Sequence, residues 1–199
     1  MTVMTIEAPS FLPYGRELTR ADLESMPDDG HRYELIDGVL IVTPSPRFRH
    51  QEAVANLHLA LHGAAIAGLK VLFAPFDVAL SEDTVIQPDL LVAPRAAFSA
   101  KDLPAAPLLA VEVLSPSTRG VDLLLKKERL QRAGCQHYWV VDPDEPSIVA
   151  WSLVDGVYSE VARAAGVEVF EVAEPFPVRL TPASLTDCQD ADIPADQVL

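Results

Sequence analysis

Ile-Gln-Pro-Asp-Leu-Leu-Val-Ala (residues 86–93) and Leu-Leu-Ala-Val-Glu-Val-Leu (residues 108–114) are short apolar runs, and together they decide the fold of this chain. Runs of this length, rich in aliphatic and β-branched residues, are typical of buried strands. Each run carries one acid, Asp89 in the first and Glu112 in the second. Burying an ionised carboxylate is costly unless a metal, a cation or several hydrogen bonds compensate for it. A cation shared by both side chains would account for the two acids.

The register between the two runs decides whether these acids meet. If the runs pair antiparallel with Ala93 opposite Leu108, then Asp89 lies directly across from Glu112. Opposed Cβ atoms in such a pair are about 5 Å apart, a spacing that suits two ligands of one divalent ion. The connection over residues 94–107 is long for a hairpin loop, so a parallel or displaced arrangement is the alternative.

A helix is predicted for residues 119–133, because Ser117 or Thr118 can cap its start and Gly134 ends it. Its apolar face is predicted to consist of Val121, Leu124 and Leu125. Asp122 and Lys126 stand four residues apart on this helix. They either form an ordinary surface ion pair or place Lys126 over the two buried carboxylates.

Two further segments approach this centre in the prediction. A hairpin is predicted from Tyr33 to Val42 around Asp37-Gly38, and Glu34 shares a strand face with Ile36. Glu34 therefore points either into the site or, if that face is exposed, to solvent. A helix over residues 48–67 begins its buried stripe at His50, which either approaches the site or is a packed core histidine.

These motifs occur in a specific order along residues 19–180. They are Tyr33-Glu34-Leu35-Ile36-Asp37-Gly38, His50, Gln87-Pro88-Asp89-Leu90, Glu112-Val113-Leu114-Ser115-Pro116-Ser117-Thr118-Arg119, Asp122, Lys126, Ala133-Gly134 and Tyr138-Trp139-Val140-Val141-Asp142-Pro143. The ordered set resembles the Uma-type putative restriction endonuclease family of the PD-(D/E)XK nuclease superfamily. The resemblance implies an α/β restriction-endonuclease-like fold, with a central mixed β-sheet flanked by helices and with peripheral β-hairpins.

The resemblance also implies roles for individual residues. Asp89 and Glu112 match the metal ligands of the superfamily, and the carbonyl of Val113 would be a third ligand. Glu34 matches an early acid that supports the metal site directly or through water. Lys126 matches a catalytic lysine that has moved into the following helix.

The chain departs from the family pattern in two places. Leu114 stands where the superfamily motif has a lysine, which is why Lys126 is nominated, with Lys127 as the alternative. Leu130 stands where the family pattern has a tyrosine. The expected cofactor is Mg²⁺, for which Mn²⁺ can substitute.

The implied function is metal-dependent hydrolysis of phosphodiester bonds, with DNA as the expected substrate. The chain carries 29 acidic and 15 basic residues, a net charge of −14, which opposes tight nonspecific binding of nucleic acid. The alternative is a catalytically silent, dimeric binding module on the nuclease scaffold. A hairpin around Asp155-Gly156 is predicted to mediate homodimerisation.

Composition predicts one domain over residues 19–180, an irregular N-terminal segment over residues 1–18 and an acidic C-terminal tail over residues 181–199. Cys135 and Cys188 have neither metal-binding nor redox spacing, which favours free thiols in a reducing compartment. We therefore expect a cytoplasmic protein. No apolar stretch of the sequence reaches membrane-spanning length.

Overall fold

A computed structural model gives the structure of the chain and describes residues 15–186. The strands are β1 (Arg32–Ile36), β2 (Val39–Thr43), β3 (Leu69–Phe73), β4 (Asp77–Ser81), β5 (Thr84–Ile86), β6 (Leu90–Pro94), β7 (Asp102–Leu103), β8 (Leu109–Val113), β9 (His137–Asp142), β10 (Ser147–Val154), β11 (Val157–Ala165), β12 (Phe170–Val172) and β13 (Val178–Leu180). The α-helices are α1 (Arg20–Glu24), α2 (Phe48–Ala64) and α3 (Lys127–Arg132). A π-helical segment (Val121–Lys126) leads directly into α3, and two 3₁₀ turns span Arg95–Ala97 and Pro182–Leu185.

The strands form three sheets. The central sheet has six strands in the order β11-β10-β9-β8-β6-β3, and it is mixed because β8 and β9 run parallel while the other pairs are antiparallel. A second sheet has the order β2-β1-β5-β4-β7, and β12 and β13 form a small third sheet. The prediction of a central mixed sheet with helices and peripheral hairpins is confirmed.

The inner strands β6, β8 and β9 of the central sheet are buried on both faces, which is why they are apolar at nearly every position. Leu90 and Val92 point to the side where Leu57 and Leu61 of α2 complete the core. The alternate residues of β6 point to the opposite side, where the core includes Leu91, Ala93, Ala110, Leu130 and Tyr138. The sheet therefore separates two apolar layers, and a polar side chain on its strands needs its own partners.

The register between β6 and β8 agrees with the sequence prediction. Leu90 pairs with Val111 and Val92 with Leu109 in an antiparallel ladder, so the position before Leu90 lies across from Glu112. The alternative, a parallel or displaced pairing, is wrong. The connection is long because it contains a 3₁₀ turn and β7, which pairs with β4 in the second sheet.

Both predicted Asp-Gly hairpins are confirmed. Asp37 and Gly38 have φ of 51° and 70°, and Asp155 and Gly156 have φ of 51° and 80°. Two successive positive φ values are the signature of the type I′ turn, whose twist matches that of the strands it joins.

The helix after β8 differs from the prediction in its first half. Residues Val121–Lys126 are π-helical, and Gly134, at a φ of 83°, follows the end of α3. Leu124 is 70% exposed and Leu125 is 42% exposed, so the predicted apolar face is wrong. The buried face instead carries Asp122 and Lys126, because the wider π-helical turns place different residues inward.

Other boundaries shift by a few residues. Helix α2 ends at Ala64 rather than at residue 67. Strands β3 and β4 are separated at Pro75. Strand β12 pairs with β13 outside the central sheet.

The terminal segments of the predicted domain division lie mostly outside the described residues, at 1–14 and 187–199, and so does Cys188. The division into residues 1–18, 19–180 and 181–199 stays a prediction. Within the described part, Leu185 of the last 3₁₀ turn is buried and its carbonyl accepts a hydrogen bond from Asn56 of α2. No helix among residues 15–186 is long and apolar enough to cross a membrane, and the cytoplasmic location stays a prediction.

Candidate active site

Asp89 and Glu112 meet at the start of the β6–β8 ladder. Asp89 immediately precedes β6 and is 3% exposed, and Glu112 lies within β8 and is fully buried. The backbone N–H of Val113 donates to Oδ2 of Asp89 at 2.9 Å, and the N–H of Asp89 approaches Oε2 of Glu112 at 3.4 Å. Each carboxylate is thus positioned by the backbone of the other strand. The role of the Val113 carbonyl as a metal ligand stays a prediction.

Lys126 brings the two sheets together at this point. Its Nζ lies 2.9 Å from Oε1 of Glu34 on β1, 3.2 Å from Oε1 of Glu112 on β8 and 3.6 Å from Oδ1 of Asp122. The side chains of all four residues are at least 98% buried. Of the two interpretations of the Asp122–Lys126 spacing, the one that places Lys126 over the carboxylates is therefore correct.

The alternative lysine lies elsewhere. Nζ of Lys127 lies over the ring of Trp151, 3.6 Å from its centroid, on the face of the helix away from the carboxylates. The structure therefore brings Glu34, Asp89, Glu112 and Lys126 together and leaves Lys127 out.

Two more basic side chains contact Asp89. Nη1 of Arg32 lies 3.0 Å from Oδ1 of Asp89, and its Nε lies 3.6 Å from Oε2 of Glu34. Nε2 of His50 lies 3.2 Å from Oδ2 of Asp89. The sequence indicated His50 as a residue that could approach the site, whereas Arg32 was missed. The position of Arg32, two residues before Glu34 and so on the same face of β1, could have indicated it.

Burial and neighbouring charges shift the pKa values of Asp89 and Glu112 in opposite directions. Burial opposes ionisation of Asp89, but the hydrogen bond from His50 and the charge of Arg32 outweigh it and hold the pKa of Asp89 well below its usual range. Burial raises the pKa of Glu112 well above its usual range, and the charge of Lys126 offsets only part of that rise. Asp89 is therefore ionised at neutral pH, whereas Glu112 has a strong tendency to hold a proton.

The other members of the cluster follow the same balance. Burial raises the pKa of Asp122, and the charge of Lys126 opposes the rise. Burial lowers the pKa of Lys126, but the charges of Glu112, Glu34 and Asp122 outweigh burial and raise that pKa above its usual value. Lys126 stays charged because several acids surround it.

A cleft of about 1420 Å³ opens over Asp89. Arg32, His50 and Gln87 line it beside Asp89, and the segment Ser115–Thr118 forms part of its wall. Glu34, Glu112 and Lys126 lie behind this surface. A ligand in the cleft would therefore meet Asp89 and Arg32 first.

The donor chemistry of this cluster suits a hard divalent cation. Three buried carboxylate oxygens accept no hydrogen bond of good geometry: Oε2 of Glu34, Oε1 of Glu112 and Oδ1 of Asp122. Carboxylate oxygens are the ligands that Mg²⁺ and Mn²⁺ prefer. Among residues 15–186, no three His, Cys, Asp or Glu side chains are already arranged as a metal-binding group. The residue types fit the metal, while the side chains of Arg32, His50 and Lys126 hold the carboxylates.

A solved structure has the same overall architecture. The crystal structure of a putative nuclease belonging to DUF820 from Anabaena variabilis ATCC 29413 matches with a TM-score of 0.67 and 16% sequence identity. The match covers 85% of this chain and 97% of the other. No curated protein matches the chain. Sheet order and this likeness define the chain as an α/β protein with a restriction-endonuclease-like fold, as predicted.

The family follows from the sequence match. The model of the Uma2 family, described as "Putative restriction endonuclease", matches residues 20–186. The chain belongs to the Uma2 family, which confirms the resemblance drawn from its motifs.

Proposed function

We propose that this chain is a Mg²⁺-dependent endonuclease that hydrolyses phosphodiester bonds of DNA, with Mn²⁺ able to replace Mg²⁺. The observation that carries the proposal is the meeting of Asp89 and Glu112 across one ladder, beside a buried lysine and beneath an open cleft. Membership in a family described as putative restriction endonucleases supports it. The name of the structural neighbour, a putative nuclease, is in keeping with it.

The residues of the cluster would have different roles in this reaction. Asp89, Glu112 and the carbonyl of Val113 would hold the ion. When bound, a divalent ion supplies Lewis-acid activation of a water molecule and neutralises charge on the scissile phosphate. Lys126 would orient that water or stabilise charge on the phosphorus centre. Glu34 accepts a hydrogen bond from the N–H of Gln87 and lies against Lys126, so it fixes the lysine and would complete the outer shell of the site.

The cleft gives a strongly acidic chain a local surface for phosphate. Arg32, Arg47, His31 and His50 all line it. Arg32 lies against Asp89 and is the cation that a phosphodiester would meet there, while Glu24, Asp28 and Asp77 line the same cleft, in keeping with the net charge of −14. Two clefts in a two-fold homodimer would address both strands of a duplex. We propose that the β10–β11 hairpin forms that interface, which a measurement of mass in solution would test.

The test of the proposed activity is nicking of supercoiled plasmid with Mg²⁺, with Mn²⁺ and with a chelator. Asp89→Asn should abolish metal-dependent cleavage. The matched control is Asp155→Asn, an exposed residue at the tip of the β10–β11 hairpin whose positive φ suits asparagine. It should cleave like the wild type. Thermal melts establish that both variants are folded.

Two results would contradict the assignment. Cleavage retained by Asp89→Asn would show that another centre performs the reaction. A wild-type protein that binds DNA without metal-dependent cleavage would favour the alternative, a catalytically silent dimeric binding module.

A further inference from the structure

Arg32 holds the carboxylate that the proposed metal would need. Its Nη1 contacts Oδ1 of Asp89 at 3.0 Å, while Oδ2 of Asp89 faces Nε2 of His50 at 3.2 Å and accepts the N–H of Val113 at 2.9 Å. An ionised carboxylate has about four lone-pair sites in total. Protein donors occupy three of them, so an ion would share Asp89 with these donors or displace one.

Arg32 is the contact that must give way. The N–H of Val113 is part of the backbone of β8, and His50 lies in helix α2. Arginine stays charged at any working pH, so protonation chemistry cannot release it from Asp89. A guanidinium beside Oδ1 also repels a divalent ion directly.

The side chain of Arg32 has room to move away from Asp89 into the cleft. Arg32 is the first residue of β1, its side chain is 20% exposed, and it lines the cleft. Its Nε donates no hydrogen bond within the described residues, because Oε2 of Glu34 lies 3.6 Å away. Rotation of the side chain would place the guanidinium in the cleft, where its planar fork matches a phosphate.

We infer that Arg32 is a displaceable internal counter-ion that competes with the divalent metal for Asp89 and leaves for the cleft when the metal binds. The inference rests on the proposed metal-dependent function. It assigns Arg32 a positioning role: the side chain stabilises the metal-free site and sets the affinity of the metal-binding step.

The experiment is calorimetric titration of Mn²⁺, without nucleic acid, into the wild type, Arg32→Ala, Arg47→Ala and Glu112→Gln. Arg47 is the matched control because it lines the same cleft, is exposed, and makes no ion pair within residues 15–186. Arg32→Ala should bind Mn²⁺ about tenfold more tightly than the wild type, the gain expected when a charged hydrogen-bond competitor is removed. Arg47→Ala should match the wild type, and Glu112→Gln should lose binding.

Arg32→Gln serves as a second variant, since its amide keeps a donor near Asp89 if the alanine variant does not fold. In a thermal melt, Mn²⁺ should raise the midpoint of either Arg32 variant more than that of the wild type. If the Arg32 variants bind Mn²⁺ as tightly as the wild type or more weakly, and Glu112→Gln still loses binding, then Arg32 does not compete with the metal, although the proposed metal site is still supported. Absence of binding to the wild type and to the Arg32 variants alike would overturn the competition together with the proposed metal dependence.

Discussion

Replacing Lys126 tests the buried cluster most directly. The side chain is 1% exposed, and its Nζ lies within 3.6 Å of oxygens from Glu34, Glu112 and Asp122. Lys126→Met keeps most of the volume of the side chain but removes the charge. Three buried acids would then lose their shared cation, and removing one partner from a buried ion pair costs about 3–5 kcal/mol. Since a domain is stable by about 5–15 kcal/mol, this is a large share of the total.

The measurement is urea unfolding of the wild type, Lys126→Met and a matched variant, Lys101→Met. Lys101 also forms an ion pair, with Nζ 2.7 Å from Oε1 of Glu24, but its side chain is 61% exposed. An exposed pair contributes at most about 1 kcal/mol, because solvent screens it. The double variant Lys126→Met/Glu112→Gln should be more stable than Lys126→Met, because one of the acids left without its cation is then replaced by a neutral amide.

The pH dependence has a definite sign. Burial already raises the folded-state pKa of Glu112, and loss of Lys126 removes the charge that opposes this rise. When the folded-state pKa of a carboxyl exceeds its unfolded-state value of about 4.3, its penalty disappears as the pH falls through the folded-state pKa. The deficit of Lys126→Met should therefore shrink as the pH is lowered from neutral toward the unfolded-state pKa of Glu112. A loss no larger than that of Lys101→Met, or a deficit that grows on acidification, would refute the reasoning.

Three further outcomes are expected. Gly38→Ala should destabilise the protein by about 1–3 kcal/mol more than Gly156→Ala in urea unfolding. Both glycines have positive φ, but of the two only Gly38 would place a new Cβ against another side chain, 2.5 Å from Cβ of Glu17; equal losses would contradict this. Leu130→Ala should cost about 2–5 kcal/mol and Leu124→Ala less than about 0.5 kcal/mol, because Leu130 is buried and Leu124 is 70% exposed; the reverse order would contradict the helix orientation. Because burial raises the pKa of Glu112, a proton competes with Mn²⁺ for that carboxylate, so the affinity for Mn²⁺ should rise with pH in calorimetric titrations; an affinity that does not change with pH would contradict the role of Glu112 as a ligand.

The central sheet could be predicted because its determinants are local. Apolar runs identify β6 and β8, and placing the two acids opposite each other selects the register that pairs Leu90 with Val111. The Asp-Gly dipeptides specify their own turn geometry, so both hairpins followed from sequence as well. The pair Asp89 and Glu112 could be predicted for the same reason, because an acid inside a buried strand indicates a functional or compensated site wherever it occurs.

The remaining parts of the site depend on how separate elements meet. The side chain of Arg32 reaches Asp89 only because the second sheet packs beside the first, and no local pattern specifies that approach. The apolar face of the Val121–Lys126 segment was predicted wrongly because an α-helical period of about 3.6 residues was assumed. A π-helical segment shifts that period, and such segments are frequent at functional sites. In this chain the shift is what turns Asp122 and Lys126 inward.

The charge of the cluster also resolves the conflict between an acidic chain and a phosphate substrate. The cluster has four acids and two permanent cations, namely Glu34, Asp89, Glu112 and Asp122 against Arg32 and Lys126. With every acid ionised it would carry two excess negative charges, and the raised pKa values of Glu112 and Asp122 mean that protons offset part of this excess. A phosphodiester would be repelled by such a site, so basic residues in the cleft alone give weak binding. A divalent ion that displaced those protons would offset the excess negative charge, and Arg32, once displaced into the cleft, would supply a cation for the phosphate. We therefore expect the proposed metal to contribute to substrate binding as well as to cleavage, which would make a net charge of −14 compatible with the proposed function.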